Sequence, residues 1–281
     1  MDLAEPVDTA WNARLRLAFE RRGDSTVLAR REHLGPLQVQ KALYPEGAAV
    51  CHAIVLHPPS GVAGGDQLAV EVDVADGAQA LLTTPGAGKW YRSAGPWATQ
   101  RLDLRVADGA CLEWLPQESI VFDGARAAMS ARIDLAGSAR FLGWDIVCLG
   151  RRASGERFEH GAMRLETRVN RDGRPIWLER GRVDGGSALL GSPAGLAGYS
   201  VTGTLLASGA PVDAALLAEC RSVASAEPGA RHGISVLPDL LVARYLGHSS
   251  EAARGWFAEL WRRLRPIYAG RDAVVPRIWN T

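Results

Sequence analysis

The sequence predicts a mainly β protein: one helicoidal, solenoid-like layered β domain over residues 1–281, with two short helices in its C-terminal half. Three observations predict it. Apolar and polar residues alternate with period two through much of the stretch from Ser25 to Thr204. Asp-Gly pairs punctuate that alternation, and one segment recurs imperfectly along the chain. Apolar residues make up 47% of the sequence, which supplies a core and excludes disorder for most of the chain. Lys plus Arg number 32 against 31 Asp plus Glu, so the near-neutral balance argues against polyanion binding as the main role.

The strands come first. Gln67–Val74, Arg101–Val106 and Arg132–Leu135 each alternate, as strands with one buried and one wet face do. Asp76-Gly77, Asp108-Gly109, Asp123-Gly124 and Asp172-Gly173 read as hairpin turns, because glycine accepts the positive φ a tight turn needs. Val72–Leu82 resembles Leu104–Trp114 and, more loosely, Ile133–Gly143. The turn glycines Gly77, Gly109 and Gly137 are 32 and 28 residues apart, a period that suggests stacked supersecondary units. The helices come late. Pro211–Ser222 places Val212, Leu216, Leu217 and Cys220 on one face. Ser250–Leu264 does the same with Trp256, Phe257, Leu260, Trp261 and Leu264. Ser249 or Ser250 is the expected N-cap of the second helix, and Pro266 the expected stop.

The familiar chemical motifs fail one by one. Thr83–Trp90 lacks the first glycine and the final hydroxyl of a phosphate loop, and Gly61–Asp66 is no dinucleotide fingerprint. Cys51, His52 and His57 cannot meet on one ion within a strand. Cys51 and His52 face opposite ways, and Cys51 and His57 lie about 20 Å apart at 3.3 Å per residue. Four widely spaced cysteines without C-x-x-C, no basic leader at the start and no span-length apolar run give the expectation of a cytoplasmic chain with buried free thiols. The acids are more informative. Asp145 interrupts the apolar run Phe141–Leu149, Glu179 follows Ile176-Trp177-Leu178, and Asp66 closes a glycine turn. A carboxylate in such a place is costly unless it is paired, hydrated or bound to a cation. A salt bridge to one of the many arginines, a metal path and a glycosidase-like acid pair all stay open.

Longer motifs carry a family resemblance. His57-Pro-Pro-Ser-Gly-Val-Ala-Gly-Gly-Asp66 and Thr83-Thr-Pro-Gly-Ala-Gly-Lys-Trp-Tyr-Arg-Ser93 resemble the two signatures of the UreD (UreH) urease accessory proteins. His33–Gln40, Leu43–Glu46, Trp114–Glu118, Arg262–Pro266 and Pro276–Trp279 extend the similarity over roughly Arg14 to Trp279. Ser60 departs from it, standing where the family usually has Gly, and serine lacks the full glycine range of φ. The resemblance implies a mostly β helicoidal fold with two helices, in a maturation factor rather than an enzyme. It implies apo-urease and UreF as partners, with the GTPase UreG recruited through UreF, and no tightly bound cofactor. It further implies transient passage of Ni(2+) along a water-filled path toward the urease active site, with Asp66, Asp145 and Glu179 matching acidic positions of that path. The late helices are expected to form part of the partner interface. The rival readings are a β-solenoid glycoside hydrolase with paired carboxylates in an open, aromatic-lined cleft, and a binding scaffold without a metal role.

Overall fold

The computed structural model describes residues 10–280; the acidic start, with Asp2 and Glu5, lies outside the described residues. β1 (Asn12–Arg22) and β2 (Ser25–Leu34) form an antiparallel hairpin, and β3 (Gln38–Leu43) pairs with β4 (Cys51–Leu56) in a second sheet. The chain then shuttles between sheets through β5 (Gln67–Val74), β6 (Gln79–Thr83), β7 (Gly88–Trp90), β8 (Ala98–Val106) and β9 (Cys111–Leu115). It continues through β10 (Ser119–Val121), β11 (Arg126–Leu135), β12 (Arg140–Leu149), β13 (Ala162–Arg171) and β14 (Arg174–Asp184). α1 (Ala188–Gly191), β15 (Val201–Ser208), α2 (Ala214–Arg221), β16 (Arg231–Leu237), β17 (Leu240–Gly247) and α3 (Ser250–Ala269) complete the order.

The outer sheet has seven strands in the order β14-β13-β11-β8-β5-β1-β2. The central sheet runs β16-β17-β15-β12-β9-β6-β4-β3, with β7 and β10 beside it. The repeat noted in the sequence is the rung of this mainly β, solenoid-like arrangement. Val74 pairs with Val106 and Val106 with Leu135 in parallel register in the outer sheet, while Gln79, Cys111 and Arg140 line up in the central one. Three of the four Asp-Gly pairs therefore turn corners between sheets; only Asp172-Gly173 closes a hairpin, between β13 and β14. For Asp76-Gly77 and Asp108-Gly109 the reason lies in the strand that follows: β6 and β9 are almost continuously buried, because the outer sheet covers one face and the helices the other, so they cannot pair as wet-faced partners of β5 and β8. Asp123-Gly124 makes the return crossing, from β10 beside the central sheet to β11 of the outer one.

The core has two parts. One fills the space between the sheets with Leu15, Leu17, Phe19, Val72, Leu104 and their neighbours. The other seats α2 and α3 on the central sheet through Leu216, Trp256, Phe257, Leu260, Trp261 and Tyr268. α2 starts at Asp213, whose side chain accepts from the Leu216 N–H at 2.8 Å. α3 starts at Ser249, whose Oγ accepts from the Ala252 N–H at 3.1 Å. Gly203 permits the seating of α3, since a Cβ there would meet the Phe257 ring at 2.7 Å. The expected stop at Pro266 does not occur. The helix runs through Pro266 to Ala269, because Leu264, Arg265 and Tyr268 all gain burial by continuing it, and Pro266 itself lies on the exposed side. α1, a single turn, is an addition the sequence pattern did not suggest. Among the described residues, no helix is long and apolar enough to cross a membrane.

Candidate functional site

Strand register brings the site together. On β12 the side chains of Leu142, Trp144, Ile146 and Cys148 face the helices, so Gly143, Asp145 and Val147 face the outer sheet. Asp145 pairs across the ladder with Thr204 of β15, and Thr204 with Arg244 of β17. One acid, one hydroxyl and one guanidinium thus share a row on the inner face of the central sheet. Between the sheets lies a cavity of about 300 Å³. Its lining includes Asp145, Thr204, Glu166, Glu118 and Lys89, with His57 and Ser60 also on its wall. At about 30 Å³ per water, this volume suits a short file or cluster of on the order of ten waters.

The three acidic candidates occupy different environments. Asp66 is buried, and its carboxylate is spent on the backbone: Oδ1 accepts from the Trp11 N–H at 2.8 Å and Oδ2 from the Ala63 N–H at 2.7 Å. It fixes the glycine loop that precedes β5, and it does not line the cavity. Glu179, on the inner side of β14, is held by Arg244 Nη1 at 2.5 Å. That is the salt bridge to an arginine left open by the sequence. Asp145 is the one of the three on the cavity wall. Burial, with the charge of Glu179 nearby, raises its pKa to about 7, against the opposing pull of Arg244 and the Thr204 backbone N–H. The structure therefore gathers Asp145 and Glu179 around Arg244 and leaves Asp66 to a separate, structural task. The site lies between two sheets rather than in an open cleft, the opposite of what a glycosidase acid pair needs.

Nitrogen and sulfur donors do not build an alternative. Among the described residues, no group of three or more His, Cys, Asp or Glu is placed to hold a metal ion. All four cysteines are free and buried, and burial raises the thiols of Cys111 and Cys148 to about 12, so both keep their protons at neutral pH. His57 is the cavity's imidazole. Burial lowers its pKa, partly offset by the charge of Asp66, and its Nε2 is buried without a hydrogen-bond partner.

The model of the family described as UreD urease accessory protein matches residues 12–280. The chain belongs to the UreD urease accessory protein family. A urease accessory protein UreD of Dechloromonas aromatica (strain RCB) is 62% identical over 275 residues, covering 97% of this chain and 95% of its own length. That of Azoarcus sp. (strain BH72) is 58% identical over 272 residues, covering 96% and 94%. A Pseudomonas aeruginosa UreD is 54% identical over 273 residues, covering 97% and 96%. The UreD-like motifs have definite places in this fold. His57–Asp66 forms the loop from β4 to β5, and Thr83–Ser93 runs from the end of β6 across β7. Both border the cavity.

Sequence reasoning missed the most heavily charged part of the interior. Arg265 of α3 is fully buried and bonds Glu46 at 2.7 Å and Glu113 at 3.0 Å, while His52 Nε2 lies 2.5 Å from Glu46. Trp261 Nε1 donates to Glu113 at 2.5 Å, and Arg265 Nη1 to the Asp272 carbonyl at 2.6 Å. Burial alone would raise the Glu46 pKa, but hydrogen bonds from His52 and Arg265 hold it down to about 2. The signal was present in Cys111-Leu-Glu-Trp-Leu115, an apolar run with one acid, the same pattern that drew attention to Asp145.

Proposed function

We propose that this chain acts in urease maturation as a scaffold that binds apo-urease and UreF, with UreG joining through UreF, and passes Ni(2+) through the cavity between its sheets. One observation carries the metal part of the reading. Asp145 lies on the wall of a cavity between the sheets whose other polar side chains are hydroxyls, two amides, a lysine, further carboxylates and the single imidazole of His57, which make no Cys/His cage. Carboxylate and water oxygens accept a borderline divalent ion but release it readily, and a carrier must do both. The partner and cargo assignments rest on membership of the UreD family and on its relatives' names. The cysteines, each protonated and packed in the core, would offer no soft thiolate trap along the way. The inner face of α3 is committed to the central sheet. Docking of a helical partner on this part of the chain therefore falls to the exposed side of α3 and its surroundings, where Ile267 and Val274 are exposed.

The test is to express the urease operon with and without this gene and to assay purified urease for nickel content and ureolysis together. Nickel-poor, inactive urease in the deletion strain is the expected result. Fully loaded, active urease would reject the reading and leave a β scaffold whose partner must be found by unbiased pull-down.

A further inference from the structure

The Glu179–Arg244 pair has an unusual position. Glu179 belongs to β14, the edge strand of the outer sheet, and Arg244 to β17 of the central sheet. Among the described residues, no other ion pair joins a strand of one sheet to a strand of the other. The pair therefore bridges the open flank of the sandwich. Its outer side meets solvent, with 47% of the Arg244 side chain and 31% of the Glu179 side chain exposed. Its inner side backs onto the cavity wall. Arg244 Nη1 also donates to Thr204 Oγ1 at 3.3 Å, and Glu179 pairs in register with Thr167. Thr204, Thr167 and Asp145 all line the cavity. The guanidinium carbon lies over the Trp177 ring, 5.5 Å from its centroid.

We propose that Arg244, pinned to Glu179, is a gate on the flank of the cavity, and that an arriving divalent cation opens it by competing for the same carboxylate. The gate deepens the conduit reading and rests on it. A half-exposed ion pair is weak, which a gate requires, since it must break and reform without unfolding its strands. The bridging geometry gives the pair two tasks, joining the sheets and capping the hydroxyl of Thr204 on the cavity wall. A cation at Glu179 would free the guanidinium to swing into solvent on its long, flexible stem and would place the ion at the outer end of the row Arg244–Thr204–Asp145, two strands from Asp145 in the central sheet.

The test reads access directly, without nickel delivery. Thr204→Cys places a thiol on the cavity wall behind Arg244, and the four native cysteines, all buried, give a low background. In the full-length chain, a small cationic thiosulfonate reagent should label the introduced thiol slowly. Adding Arg244→Met should raise the rate by about tenfold or more, because labelling follows the population of the open form. Adding Arg244→Lys should raise it less, and Ni(2+) should raise it in the parent but not in the Arg244→Met chain. Equal labelling rates with and without the Arg244→Met change, both fast or both slow, would overturn the gate. Thermal melts identify any variant that has lost its fold, and Glu179→Gln then serves as the second way to break the pair. Nickel loading of urease by the Arg244→Met chain separates the two ideas. Faster labelling with unchanged loading keeps the gate and removes its metal role, whereas unchanged labelling with Asp145-dependent loading removes the gate and keeps the conduit.

Discussion

Ser60 sits at φ 57°, in the left-handed region where a Cβ crowds the following carbonyl. The sequence marked this position as a departure from a family glycine, and the loop keeps the glycine-like turn with a serine in it. Ser60→Gly should therefore stabilise the chain by about 1 kcal/mol, less the extra entropy glycine brings to the unfolded state. A rise in the urea midpoint at constant slope is the expected reading; no rise would mean the turn relaxes around the serine. Glu46 gives the pH dependence. Its folded pKa is held near 2 against an ordinary 4.5, so its contribution is complete above about 4.5 and is lost as the pH falls toward 2. Acid unfolding followed by near-UV circular dichroism should show a shallower decline for Glu46→Gln than for the parent over that window, and an identical slope would remove Glu46 as a contributor. At this scale the sequence identified acids in apolar runs but not their partners. Which carboxylate finds an arginine, a backbone N–H or a cavity depends on cross-strand register, and register is a property of the assembled sheets.

Elements were easier to read than their connections. The alternation of Gln67–Val74 and the apolar stripe of α3 reproduce the observed strand and helix. The Asp-Gly turns did not reveal whether the chain would return beside itself or cross to another layer, since the same positive φ serves both. The buried runs of β6, β9 and β12 hold that information, because a strand buried on both faces must lie between two layers. Pro266 misled for a related reason. A proline inside a helix removes one hydrogen bond and strains the preceding turn, yet tertiary burial of Tyr268 outweighs it. Its exposed position makes Pro266→Ala a clean test, expected to raise stability by about 1–2 kcal/mol in urea titration. A loss of stability would mean that proline fixes a local geometry on which the C-terminal segment depends.

In the whole molecule, Arg265 ties three distant parts together: α3, the segment before β4 that carries Glu46, and β9 through Glu113. Arg265→Met leaves two buried carboxylates facing one histidine, and should cost about 3–5 kcal/mol, read as a drop in melting temperature. A small loss would show that the acids take up protons and repack. Truncation at Pro266 would likewise remove Tyr268 and Trp279 from the core, where Trp279 Nε1 donates to Thr83 Oγ1 at 2.8 Å, so a shortened chain reports stability before it reports docking. The layered architecture was legible from the repeat, whereas a water-filled interior was implied only by the family resemblance, because a gap between two sheets has no signature in either strand alone. That cavity is where the account stands or falls. The most direct measurement is the nickel content of urease matured in cells that carry the Asp145→Asn chain, with the complex recovered intact by pull-down. Nickel-poor urease bound to a folded variant is the predicted result. Fully loaded urease would contradict the passage of the metal along the wall that Asp145 lines.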